Sequence, residues 1–159
     1  MKKIYSVLVE NRSGVLCKVA GLFYRRMFNI DSLSVGETED ANISSMTIVS
    51  TGSERTLQQI EKQLNKKLYV IKVKTFDEAG AVTLELILLK VKYNKNTRGE
   101  ILEITQSMKA DIINMSKTHM LIQCTDTPER VKLLLTMLQP YGIVEVARTG
   151  TVALQKCSD

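Results

Sequence analysis

The sequence predicts an α+β protein built from two βαββαβ units in tandem. Three observations carry that prediction. Apolar spacing alternates between strand and helix periods in the same order in each half. One short segment, Phe76 to Gly80, breaks both periods and carries charge and glycine, as a linker does. Finally, 159 residues with 44% apolar and 25% charged usage can fill two small cores, and exclude a disordered or collagen-like chain.

The first unit is assigned to residues 1–76. Ile4 to Glu10 is rich in apolar and β-branched residues and reads as a mostly buried strand. After Asn11-Arg12-Ser13-Gly14, apolar residues recur at Val15, Leu16, Val19, Ala20, Leu22, Phe23 and Met27, a helix with Ser13 available as N-cap. Asn29-Ile30 opens a second strand running to Glu37, Thr38 to Asn42 is a polar turn, and Ile43 to Ser50 is the third strand. Leu57, Ile60, Leu64 and Leu68 form one stripe of a second helix, and Tyr69 to Thr75 is the fourth strand.

The second unit, 77–159, repeats the order. Ala81 to Lys92 is a long strand, and a helix from about Thr97 to Ala110 turns Ile101, Ile104 and Met108 inward. Ile112 to Ser116 and His119 to Cys124 make a hairpin around Lys117-Thr118. Thr127-Pro128-Glu129 starts a helix with Pro at N1, Val131, Leu134, Leu135 and Leu138 form its buried stripe, and Ile143 to about Ala147 is the last strand. Each unit is therefore expected to be ferredoxin-like, an antiparallel sheet with both helices on one face. At this size each is marginal alone, so self-association through an open face or edge is expected.

Several function classes are excluded. The longest apolar run, near Leu86 to Leu89, falls far short of a membrane span, and Glu10 ends the N-terminal apolar stretch before a signal-peptide core forms, so a soluble, cytoplasmic protein is expected. Cys17, Cys124 and Cys157 are odd in number and widely spaced, which argues against a disulfide framework, and the lone His119 argues against zinc and Ser-His chemistry. No nucleophile-base pair, Walker loop or metal cluster is present, so catalytic and metal residues are expected to be none. The net charge of +5 lies wholly in residues 1–76, with 12 Lys+Arg against 7 Asp+Glu. An RNA-recognition module shares the element order and suits that charge. It needs exposed aromatics on its central strands, and the first strand has only Tyr5 and the third none, so no nucleic-acid partner is expected.

The segment Asn11-Arg12-Ser13-Gly14-Val15-Leu16 is the most informative. A strand ends, a glycine permits close backbone approach, and a helix starts with free N–H groups, an arrangement suited to a carboxylate or phosphate as well as to a plain capped turn. Together with Phe28-Asn29-Ile30-Asp31-Ser32-Leu33-Ser34-Val35, Ser45-Met46-Thr47-Ile48, Gln59 to Leu64, Glu85 to Val91 and Val144 to Gly150, this segment resembles the ACT regulatory domain, and in particular the family of small regulatory subunits of acetohydroxyacid synthase (acetolactate synthase). The match runs in order along nearly the whole chain, and the first unit would be its ACT domain.

The resemblance implies a non-catalytic subunit in branched-chain amino-acid biosynthesis. It would activate a thiamine-diphosphate-dependent catalytic large subunit and confer feedback inhibition by a branched-chain amino acid, usually valine, with leucine and isoleucine as alternatives. Thiamine diphosphate, Mg²⁺ and any FAD would belong to that partner, with no cofactor in this chain. The implied effector residues are Asn11, Gly14, Val15, Leu16, Asn29 and Ile30, at an interface in an ACT homodimer. Gly14 and Asn29 flank one helix and stand roughly 20 Å apart at 1.5 Å per residue, so one amino acid reaches both only if they come from different chains. The family commonly has Gly where this chain has Met27. The second unit departs further, with Met108-Lys109-Ala110 and Asn114 where relatives often show Phe-Arg-Gly and Asp. The alternative reading is a free-standing ACT-type amino-acid sensor with another target.

Overall fold

The computed structural model describes residues 1–157. They form two compact units, one of Met1–Thr83 together with the segment from Thr151 onward, the other Leu84–Gly150. The first contains β1 (Lys2–Glu10), α1 (Val15–Arg25), β2 (Ser32–Glu37), β3 (Ile43–Thr51), α2 (Glu54–Asn65) and β4 (Val70–Phe76). Its sheet has the order β2-β3-β1-β4 with every neighbour antiparallel. This is the βαββαβ arrangement expected from the periodicity.

Alternation along β1 decides which face is packed. Tyr5, Val7 and Val9 point to the helix side, where they join Val15, Val19, Leu22 and Phe23 of α1 and Leu57, Ile60 and Leu64 of α2 in one core. Within this core the Tyr5 hydroxyl, fully buried, donates to the Leu57 carbonyl at 2.8 Å. Burial holds that phenol well above its ordinary pKa, and Glu61 adds to the effect. The expected stripe of α2 stops one turn early, because the helix ends at Asn65 and Leu68 lies beyond it, fully exposed.

The opposite face of this sheet is partly covered by the start of the expected strand at Ala81 and by a final strand that the sequence reading did not identify. A short 3-10 turn, Glu78–Gly80, leads into β5 (Ala81–Lys92), and β9 (Val152–Gln155) pairs with β5. Ala81 and Ala153 then pack on Ile4, Val49 and Phe76, the outward-facing residues at one end of β1, β3 and β4.

The second unit holds α3 (Arg98–Ser107), β6 (Asp111–Met115), β7 (His119–Asp126), α4 (Pro128–Leu138) and β8 (Ile143–Arg148), with the strand order β6-β7-β5-β8. Ile87, Leu89, Val91, Met120 and Ile122 form the sheet side of its core under Ile101, Val131, Leu134 and Leu138. Thr127 caps α4, its hydroxyl accepting from the Arg130 N–H, with Pro128 in the first helical position. Glu85 is 3% exposed and is held bidentate by Arg148, Nε to Oε1 and Nη2 to Oε2, which satisfies a carboxylate that burial alone would strongly disfavour.

Candidate functional site

The loop joining β1 to α1 differs from the expected capped turn. Gly14, not Ser13, is the N-cap residue, in the left-handed region at φ 85°, and no side chain caps the helix. The Val15 N–H turns back to the Arg12 carbonyl at 3.3 Å, whereas Leu16 and Cys17 belong to the first turn, which the helix's own carbonyls cannot serve. That turn carries no acidic side chain, and a Cβ built on Gly14 would meet nothing within 4 Å. The start of α1 is thus an exposed, uncapped and sterically open group of N–H donors, favourable to a carboxylate through both hydrogen bonds and the helix dipole.

Asn11 is fixed beside this opening. Its Nδ2 donates to the Ala41 carbonyl at 2.8 Å and to Glu37 Oε1 at 3.2 Å, and its backbone N–H donates to the Asn42 carbonyl at 2.8 Å. Because both neighbours of the amide are acceptors, its amino end must face them, and Oδ1 remains able to accept from an ammonium. Glu37 and the β2–β3 turn were not among the residues that sequence reasoning selected. Nothing in linear spacing joins 11 to 37–42, and only the strand register, Glu10 opposite Ile43 and Glu37 opposite Ser44, brings them to one end of the sheet.

The remaining candidates divide. Leu16 is 45% exposed and offers an apolar surface at the opening, while the Val15 side chain is buried in the core and leaves only its backbone near the loop. Asn29 and Ile30 precede β2 rather than opening it. The Asn29 amide donates to Asp31 Oδ1 at 2.6 Å, its carbonyl accepts from the Ser50 hydroxyl at 2.7 Å, and Ile30 packs half-buried against the first core. These two residues lie past the C-terminal end of α1, an 11-residue helix about 16 Å long, so a single chain does not bring them to Gly14.

Met27 makes the turn between them. At φ 56° it is a left-handed C′ residue, with its own N–H donating to Tyr24 and that of Phe28 to Phe23, both at 3.0 Å. This is a Schellman cap, the geometry that usually selects glycine. Among the described residues no group of three or more His, Cys, Asp or Glu side chains is arranged to hold a metal, and no helix is long and apolar enough to cross a membrane.

Comparison with known proteins agrees with both halves of the chain. Residues 5–72 match the family model described as the AHAS small subunit-like ACT domain, and residues 84–157 the model described as the small subunit of acetolactate synthase. The acetolactate synthase small subunit of Mycolicibacterium smegmatis is 45% identical over 151 residues, covering 95% of this chain and 89% of that protein. That of Bacillus subtilis is 40% identical over 157 residues, covering 98% and 91%. The crystal structure of the acetolactate synthase small subunit from Thermotoga maritima superposes with a TM-score of 0.92 at 35% identity, over 100% of this chain and 99% of that one. With an ACT fold in its first half, and with models and relatives that together span nearly its whole length, the chain belongs to the family of acetolactate synthase small subunits, the regulatory, non-catalytic subunits of that enzyme.

Proposed function

We propose that the chain binds a branched-chain amino acid, valine first among them, at an interface between two ACT domains, and so controls the activity of a separate catalytic large subunit. The observation that carries this reading is the open start of α1. The uncapped N–H groups beyond Gly14 suit the effector carboxylate, Asn11 Oδ1 suits its ammonium, and Leu16 offers an apolar surface to its side chain. Asn29 and Ile30, at the far end of the same helix, complete the pocket from the second chain. A ligand shared in this way stabilises the dimer that builds its site, and dimerisation raises affinity for the ligand by the same factor. In this reading residues 1–76 are the effector-binding and dimerising domain and 77–159 the second domain of a cytoplasmic regulatory subunit, and thiamine diphosphate, Mg²⁺ and any FAD reside on the large subunit.

The test combines binding with reconstitution. Calorimetric titration of the full chain with valine, leucine and isoleucine is expected to give saturable binding with a component that Gly14→Asp removes, because the new carboxylate occupies the place of the effector's own. Mixed with the catalytic subunit of its own organism, the wild-type chain raises acetolactate formation, and valine suppresses the increase. Unchanged valine affinity in Gly14→Asp would refute the site, and an unaltered rate on mixing would refute the regulatory role.

A further inference from the structure

The open face of the first unit's sheet carries a second constellation that the effector reading does not use. On β1 the residues that alternate with the core set are Ser6 and Leu8, and antiparallel register aligns Leu8 with Ser45 of β3 and Lys72 of β4, and Ser6 with Lys74. Leu154 of β9 and the buried Phe76 bound this surface on one side, and Glu37 and Glu39 line it on another, enclosing a cleft of about 360 Å³. That volume lies within the range of about 300–1,000 Å³ usual for small-molecule pockets.

The charges are its informative feature. Lys72, Lys74, Glu37 and Glu39 all line one cleft, yet among the described residues none of them makes an ion pair. Glu37 spends one oxygen on the Asn11 amide, and the other three carry no side-chain hydrogen bond. Uncommitted cations and anions above an apolar floor of Leu8 and Phe76 match a small molecule with both charges and an apolar side chain. We propose that this cleft is a second amino-acid site, formed within one chain, in which Lys72 and Lys74 receive the carboxylate, Glu39 receives the ammonium, and Leu8, Phe76 and Leu154 surround an aliphatic side chain. It is separate from the loop at Gly14 and does not depend on the pairing of two ACT domains.

The experiment is an amide-resolved NMR titration of the full-length ¹⁵N-labelled chain with L-valine, repeated with isobutylamine, which lacks the carboxylate, and with 3-methylbutanoate, which lacks the ammonium. Valine is expected to shift the amides of Ser6, Leu8, Ser45, Lys72 and Lys74, and to do so in Gly14→Asp as well. Each half-molecule should bind the cleft about tenfold more weakly or worse, since each forfeits one charge-assisted pairing. The double variant Lys72→Met, Lys74→Met should lose the cleft response while its α1 and α2 amide shifts stay in place, which shows the fold intact. The proposal is overturned if valine leaves the cleft amides unmoved, if Gly14→Asp silences them, or if the amine and the acid bind as well as valine. Movement of the cleft amides without movement at Asn11 to Leu16 would refute the loop site and leave the cleft site standing.

Discussion

Replacing Met27 by glycine should make the protein more stable, although it removes a side chain and contributes no contact. Met27 holds φ 56° at the C′ position of α1, and its side chain is 88% exposed, so the substitution forfeits almost no packing. A non-glycine residue in the left-handed region costs about 1–2 kcal/mol. Glycine relieves that cost but frees the unfolded chain, returning about 0.4–1 kcal/mol. The net gain expected is therefore about 0.5–1 kcal/mol. Lys109 offers an internal repeat of the experiment, since it stands at φ 52° at the end of α3 with the same pair of bonds, Lys109 N–H to Gln106 at 3.1 Å and Ala110 N–H to Thr105 at 2.9 Å. Thermal unfolding followed by circular dichroism is the assay, with a rise in Tm of roughly 2–4 °C per kcal/mol if the chain unfolds as one unit and about twice that if a half unfolds alone. Met27→Ala is the control, because it removes the side chain but keeps the Cβ, and it should leave Tm within about 1 °C of the parent. A Met27→Gly protein no more stable than Met27→Ala would refute the strain argument.

Two further predictions address single polar groups. Tyr5→Phe removes the donor to the Leu57 carbonyl inside the core and should cost about 1–2 kcal/mol in denaturant unfolding, with the midpoint falling and the slope unchanged. Asp126 sits where burial would raise its pKa, but the hydrogen bond from Arg130 at 2.6 Å, that from the Thr127 N–H and the Arg130 charge outweigh burial and hold it below the usual carboxylate value. Its folded pKa is thus lower than its unfolded one, so its contribution is present above the unfolded pKa near 3.9 and is lost as pH falls through the folded value. Asp126→Asn should therefore lower stability by up to about 1 kcal/mol at neutral pH, as for a partly exposed pair, and the deficit should vanish in acid; a pH-independent deficit would show that the charge is not its source.

The order of elements was legible because each half alternates periods cleanly, and α4 could be placed from Thr127-Pro128 alone, since a hydroxyl N-cap and a proline at N1 act locally. What was not legible depended on distant chain. Leu68 continues the spacing of Leu57, Ile60 and Leu64, yet the helix stops at Asn65, and an apolar residue past a helix end has no obligation to be buried. The four residues of β9 are too few for a periodic signal, and their partner lies some 70 residues upstream in β5. At the candidate site, the sequence identified Asn11 and Gly14 through a local motif. It could not show that Gly14 itself is the cap, which the left-handed turn of the loop decides, or that Glu37 and Ala41 fix the amide of Asn11, which follows from the register of the folded sheet.

The repeated fold also explains why an effector site at the first helix start need not be repeated at the second. In the second unit the loop from β5 to α3 closes on itself, with Asn94 Oδ1 accepting from the N–H groups of Asn96 at 2.8 Å and Thr97 at 3.0 Å, and the Arg98 N–H donating to the Asn94 carbonyl at 3.0 Å. The first turn of α3 also carries Glu100, whose charge opposes an incoming carboxylate, whereas the first turn of α1 carries no acidic residue. Asn94 serves the donors only as far as Arg98, much as the Arg12 carbonyl serves Val15, so the acidic Glu100 is the clearer difference between the two helix starts. Both helices end in the same left-handed cap, so the two units share their scaffold down to the C-terminal turn. They differ where an anion would bind, and that difference lies in a few side chains rather than in the fold.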